Sequence, residues 1–182
     1  MRILTLAAVL ALAVAAVGAW VVEAEPDWYL RARYPLEYEQ ILRTHGANHD
    51  LDPALVAAVV YVESRFDTNA ESEAGAIGLM QLLPDTAEGI ALRTGGSNFV
   101  TADLRDPDIN VRYGTWYLEH LYRRYGDMRV ALAAYHAGQG NVDEWRRTGA
   151  GIAFPETRQY VSRVLELSRL YKRVYGSELR ST

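Results

Sequence analysis

The sequence predicts an all-α domain preceded by an N-terminal hydrophobic helix. Three observations carry the prediction. Apolar residues recur at helical spacing in one segment after another. Prolines paired with an acidic residue mark segment starts, and glycines mark their ends. No stretch alternates apolar and polar residues as a half-buried strand would.

The N-terminal run from Ile3 to Val22, "ILTLAAVLALAVAAVGAWVV", carries no charged residue. Twenty residues of helix span about 30 Å, the thickness of a bilayer's hydrocarbon core. Trp20 and the following "DWYLRARYP" suit the membrane–water interface. Run length favours an uncleaved signal anchor over residues 3–22. A secretory signal peptide cut after "VEA", Val22 to Ala24, is the alternative. Residues 1–24 are therefore assigned to an anchor or signal peptide and 25–35 to a linker. In both readings the rest of the chain works outside the cytoplasm, membrane-anchored or secreted.

The folded domain is expected over 36–176, with a short tail at 177–182. A first helix, from Leu36 to about His45, places Tyr38, Ile41 and Leu42 on one stripe. The next opens with Asp52 as N-cap and Pro53 in the first turn, a strong start signal. Pro84 and Asp85 open another, which stops at Gly95. Asp106 and Pro107 begin a longer one that stops at Gly126, with Ile109, Tyr113, Trp116, Tyr117 and Leu121 at the helical period. "DMRVALAAYHAG" reads as a shorter helix running into a Gly–Gln–Gly–Asn loop. The last begins at "FPET", with Tyr160, Val164, Leu167 and Tyr171 on one face. Within 69–81, "NAESEAGAIGLMQ", glycines bracket a small apolar run, so a minor β hairpin fits there.

Composition excludes several classes of function. The 182 residues carry a net charge of −4, without the basic footprint of a nucleic-acid-binding protein. With no cysteine, a disulfide framework and a cysteine-based zinc site are both excluded. No metal site is expected.

The chemistry points to Glu63. It ends the apolar stretch "LVAAVVYVESRF" and shares a face with Val56 and Val60. Apolar surroundings and the negative end of a helix both disfavour its ionised form and raise its pKa. A carboxylic acid kept protonated near neutral pH is what glycosidic cleavage requires of its general acid. The alternative is a solvated glutamate, or one paired with Arg65 or another base.

The later segments bear on that choice. "GAIGLMQLLPDTA" runs glycine-rich backbone into a new helix, "AAYHAGQGNV" ends a helix with an aromatic residue, and "FPETRQYV" places Tyr160 one turn into the last helix. Together with "ESRF" and "LRDPDINVRYGTWYL", and in this order, they resemble the soluble lytic transglycosylase catalytic domain over about residues 36–175. The resemblance implies a lysozyme-like helical fold, Glu63 as the catalytic acid/base, and a sugar cleft lined by Ser72, Gln81, Tyr135 and Tyr160. Gln81 offers two donors and an acceptor to a sugar, or holds the glycine loop. Ser72 donates to a sugar or closes a turn. The tyrosines supply stacking faces and hydroxyls, or pack in the core. Met80 reads as pocket wall. His136 stands where the family usually has asparagine, and it can still donate and accept. A milder departure is Ala153, where the family often has proline.

Glycoside hydrolases ordinarily use two carboxylates about 5–9.5 Å apart. No second acid stands out here, since Asp67, Glu71 and Glu73 all read as solvated. The resemblance implies that the substrate supplies its own nucleophile: peptidoglycan glycan strands would be cut between N-acetylmuramic acid and N-acetylglucosamine, leaving a 1,6-anhydro end without water or cofactor. A hydrolytic muramidase on the same scaffold and a non-catalytic peptidoglycan-binding protein stand as rivals.

Overall fold

The computed structural model describes residues 2–96 and 98–180, the first ten of them as backbone alone. The chain divides into two compact units, the boundary falling between Leu36 and Glu37. The first unit holds α1 (Arg2–Ala24) and α2 (Asp27–Arg33). The segment expected as a linker thus carries a short helix. Asp27 sits at its positive end and Arg31 and Arg33 at its negative end, an arrangement the helix dipole favours. On α1, Leu12, Val14, Val17, Trp20 and Val22 are exposed. Residues 3–11 of the apolar run have side chains outside the described set. Among the described residues no helix is long and apolar enough to cross a membrane.

The second unit contains α3 (Glu39–Asn48), α4 (Pro53–Ser64), α5 (Pro84–Thr94), a 3-10 turn (Thr101–Arg105), α6 (Pro107–Tyr125), α7 (Met128–Ala137), α8 (Gln139–Thr148) and α9 (Pro155–Tyr175). The expected start signals operate as capping chemistry. The Asp52 carboxylate accepts from the Ala54 N–H at 3.0 Å, and that of Asp106 accepts from Asp108 and Ile109. Gly95 and Gly126 close α5 and α6 in the left-handed conformation, at φ of 82° and 71°. Asp106→Ala should lower stability by about 1 kcal/mol, read as a urea midpoint shift at constant slope.

Three local expectations are corrected. The first helix begins at Glu39 rather than Leu36, because Tyr38 takes a left-handed φ of 55°. The Gly–Gln–Gly–Asn stretch is not a loop: Gly138, at φ 85°, breaks the chain for one residue, and α8 starts at Gln139. Gly140 is tolerated in its first turn, and burial of Val142 and Trp145, three residues apart, holds the helix down. At 69–81 the backbone forms isolated bridges, Glu71 with Ile77 and Ile77 with Leu82, and no strand occurs among the described residues.

α4 is the central helix, buried from Ala54 through Val60 on all sides. It packs chiefly against α9 and also against α3, while α6 gathers α3, α5 and α7, and α7 touches α9. α3 and α6 are also joined by a polar contact, buried His45 Nε2 lying 2.8 Å from Asp108 Oδ1. Wrapped from Ala54 to Val60, α4 becomes accessible again in its C-terminal turn, and Glu63 sits there, half-buried.

Candidate active site

α4 stops abruptly after Ser64. Arg65 and Phe66 both adopt left-handed φ, at 53° and 67°. For residues with a side chain this is unusual backbone, held here by the packing of Phe66, whose buried ring meets Tyr38, Tyr61 and Tyr171. Ser64 ties the helix end to the following loop, its hydroxyl lying 2.8 Å from the Leu79 carbonyl.

That loop is organised by a residue the sequence reading did not single out. Asn110 of α6 is wholly buried. Its amide donates to the carbonyls of Ile77 (2.9 Å) and Leu104 (2.8 Å), and its oxygen accepts from the Met80 N–H at 2.7 Å. Gly78 must be glycine, since a Cβ there would lie 2.2 Å from the Leu104 carbonyl oxygen and φ is +79°. One turn along α6 from Asn110, a Cβ on Gly114 would lie 2.3 Å from the Met80 sulfur. The signal that could have revealed this anchor was an asparagine and a glycine four apart beside the apolar stripe of α6.

The sequence-predicted site residues fall into two groups. Glu63, Tyr135, His136 and Tyr160 come together from α4, α7 and α9. The Tyr160 hydroxyl donates to Glu63 Oε1 at 2.6 Å. The Tyr135 hydroxyl donates to the Met80 carbonyl at 2.7 Å. The His136 ring lies against that of Tyr160, with centroids 4.5 Å apart and planes tilted by 32°. Its Nδ1 is 3.1 Å from the Thr157 hydroxyl. Ser72, Met80 and Gln81 instead hold the loop. The Gln81 amide donates to the carbonyls of Ala70 (3.1 Å) and Gly78 (3.0 Å). Ser72 is exposed, and its hydroxyl oxygen accepts from the Ala76 N–H at 3.0 Å, closing a turn. Met80 is fully buried against α6 and meets the site through its backbone carbonyl.

Burial pushes the Glu63 carboxyl up to about 7, and the hydrogen bond from Tyr160 offsets part of that rise. Both tyrosine hydroxyls are raised well above their ordinary value by burial and then by the nearby Glu63 charge. Among the described residues no base pairs with Glu63, and Tyr160 is its hydrogen-bond partner, leaving Oε2 free of protein partners. Of the other acids considered, the Asp67 carboxylate accepts from the Asn69 N–H at 2.8 Å, exposed Glu71 lies 2.7 Å from Arg105, and Glu73 is exposed. Chemically, the arrangement is a lone carboxyl poised between its two protonation states near neutral pH, oriented through one oxygen.

Beyond Tyr135 the site continues into residues absent from the sequence reading of it. The Tyr117 ring packs on Tyr135 at 5.5 Å, and Gln139 Nε2 lies 3.5 Å from its hydroxyl. A hollow lined by Tyr117, Gln139, Trp116, His120, Asp85 and Arg93 opens there.

Fold and site thus define an all-α domain with a half-buried carboxyl of raised pKa at the end of its central helix. The chain belongs to the Transglycosylase SLT domain family, which matches residues 40–153. It is 31% identical over 162 residues to the soluble lytic murein transglycosylase of Escherichia coli (strain K12), covering 82% of this chain and 25% of that protein. It is 32% identical over 163 residues to the membrane-bound lytic murein transglycosylase F of Alcanivorax borkumensis, covering 84% and 32% respectively. Among solved structures, an inactive glutamate-to-glutamine mutant of lytic transglycosylase Slt from Pseudomonas aeruginosa superposes with a TM-score of 0.74 at 33% identity, covering 86% of this chain and 27% of that one. The chain therefore spans about a quarter to a third of the length of these relatives.

Proposed function

We propose that this protein is a peptidoglycan lytic transglycosylase with Glu63 as its acid and base. The observation that carries the reading is the lone half-buried carboxyl, raised to about 7 and held through one oxygen by Tyr160. Protonated Glu63 gives its proton to the glycosidic oxygen between N-acetylmuramic acid and N-acetylglucosamine, and the C1–O bond breaks. The acetamido oxygen of the muramoyl residue closes on C1. Glu63, now a carboxylate, takes the proton of the muramoyl C6 hydroxyl as that oxygen attacks C1 and displaces the acetamido group. The product is a 1,6-anhydro end, and Glu63 finishes protonated, as it began. An intramolecular hydroxyl already beside C1 needs neither a second carboxylate nor a held water. The inactivity of the glutamate-to-glutamine mutant of the Pseudomonas relative supports dependence on one glutamate in this family.

Tyr135, Tyr160 and His136 line the site beside Glu63, and the loop shaped by Ser72, Met80 and Gln81 adjoins it through the Met80 carbonyl. The domain over 36–176 acts outside the cytoplasm, held there by the N-terminal hydrophobic helix as signal anchor. The exposed apolar side chains of α1 and the name of the membrane-bound Alcanivorax relative support that placement.

Digestion of purified sacculi followed by mass spectrometry tests the reaction. Muropeptides lighter by one water than their reducing counterparts are expected. Reducing ends that incorporate labelled oxygen from solvent would instead establish a muramidase. Sacculus binding with no soluble product would establish a binding protein.

A further inference from the structure

We propose that His136 is a positioning residue for Glu63, acting through Tyr160 rather than by touching the glycan. The inference deepens the proposed function, since it concerns the same carboxyl. A tyrosine delivers its hydroxyl to one oxygen of a carboxyl only if its ring is held in one orientation. The Tyr160 hydroxyl is 2.6 Å from Glu63 Oε1, so a small ring rotation would forfeit that bond. The His136 imidazole braces the ring, 4.5 Å away and tilted by 32°. His136 is itself gripped at the back, its Nδ1 3.1 Å from the hydroxyl of Thr157, a wholly buried side chain one turn before Tyr160 on α9. Thr157, His136 and Tyr160 thus form a clasp joining the last turn of α7 to the first two turns of α9.

His136 is part-buried at its bond to Thr157 rather than a core side chain, so packing into the core does not account for its contacts. Around the imidazole the titratable groups are Tyr160 and Glu156, both on α9. Around Glu63 they are Tyr160 of α9 and Tyr135 of α7. Burial keeps the imidazole below its usual pKa against the opposing pull of Glu156, so the clasp is neutral at neutral pH. Its influence on Glu63 therefore passes through the Tyr160 hydrogen bond, which favours the ionised carboxyl.

The test follows the titration of Glu63 itself, by 13C NMR of the side-chain carboxyl carbons, with the Glu63 signal assigned by its loss in Glu63→Gln. Tyr160→Phe keeps the ring and deletes the hydroxyl, and should move the Glu63 midpoint up by about one pH unit. His136→Ala should move it in the same direction by about half a unit or more. His136→Ala made in the Tyr160→Phe background should add nothing, because the route is already cut. His136→Phe, which restores a ring against Tyr160, should recover much of the shift. The alkaline limb of sacculus solubilisation should follow the NMR midpoint in each variant. An unmoved midpoint in His136→Ala, with a raised KM as its main effect, would overturn the proposal and make His136 a substrate contact. An equal His136→Ala shift in the Tyr160→Phe background would overturn it too. Because the titration needs no substrate, a wild-type protein that releases no anhydro product, with variants that still show these shifts, would overturn the proposed function and leave the clasp standing.

Discussion

Glu63→Gln should abolish sacculus solubilisation, lowering the rate by about 10³-fold or more while leaving the fold intact. Positioned acid–base groups contribute about 10²–10⁴-fold. Here one carboxyl serves in both steps, as donor to the leaving oxygen and as acceptor from the C6 hydroxyl, so its loss falls at or beyond the upper part of that range. The amide is nearly isosteric and still accepts from Tyr160, so packing is preserved. Stability provides an independent check with a definite sign. The folded-state pKa of Glu63 is raised from 4.5 to about 7. The folded protein therefore holds this proton more tightly than the unfolded chain does. The stability associated with the neutral carboxyl is fully present below pH 4.5 and is lost as pH rises through 7. At pH 8 the glutamine variant should be more stable than wild type by on the order of 2 kcal/mol, and near pH 4 the two should coincide. Denaturant melts at the two pH values measure this. A variant no more stable at pH 8 would show that Glu63 ionises freely and is not a neutral donor.

Asn110→Ala should be the most damaging change outside the immediate surroundings of Glu63. It removes three hydrogen bonds from a fully buried group and leaves the carbonyls of Ile77 and Leu104 and the N–H of Met80 without that partner. Unsatisfied buried polar groups cost about 1–3 kcal/mol each, with partial relief when water enters, so a total of about 3 kcal/mol is expected. For a domain of this size that corresponds to a melting temperature lower by about 8 °C. Activity should fall further than stability, because Met80 also carries the carbonyl that holds Tyr135. Asn110→Asp keeps the acceptor for Met80 and places a charge against two carbonyls, so it should be no better tolerated. Thermal melts beside solubilisation assays at a temperature where both variants stay folded separate the two effects. A melting temperature within a degree of wild type would show that the loop does not depend on Asn110.

Several features of this molecule were legible because they depend on neighbours along the chain. Capping is local: an aspartate before a proline has its carboxylate within reach of the next N–H groups whatever the rest of the chain does, and Asp52 and Asp106 behave accordingly. The placement of Glu63 is local in the same sense, since a helix apolar from Leu55 to Val60 must be buried and its last turn must emerge. α8 was missed for the opposite reason. Its glycines read as loop, and the gain from burying Val142 and Trp145 depends on surfaces supplied by other segments.

By itself the sequence determined the helical class, most of the helix starts and stops, and a carboxyl stationed where a greasy helix gives out. Only the tertiary structure decided what that carboxyl meets. Tyr160 is 97 residues away in the chain, yet its hydroxyl lies within hydrogen-bond distance of Glu63. Asn110 reaches back about thirty residues to fasten the loop of Met80 and Gln81. Helical periodicity tells which face of a segment turns inward. Which faces then confront one another depends on how whole helices pack, and that packing also sets the low-dielectric surroundings in which a glutamate keeps its proton near neutral pH.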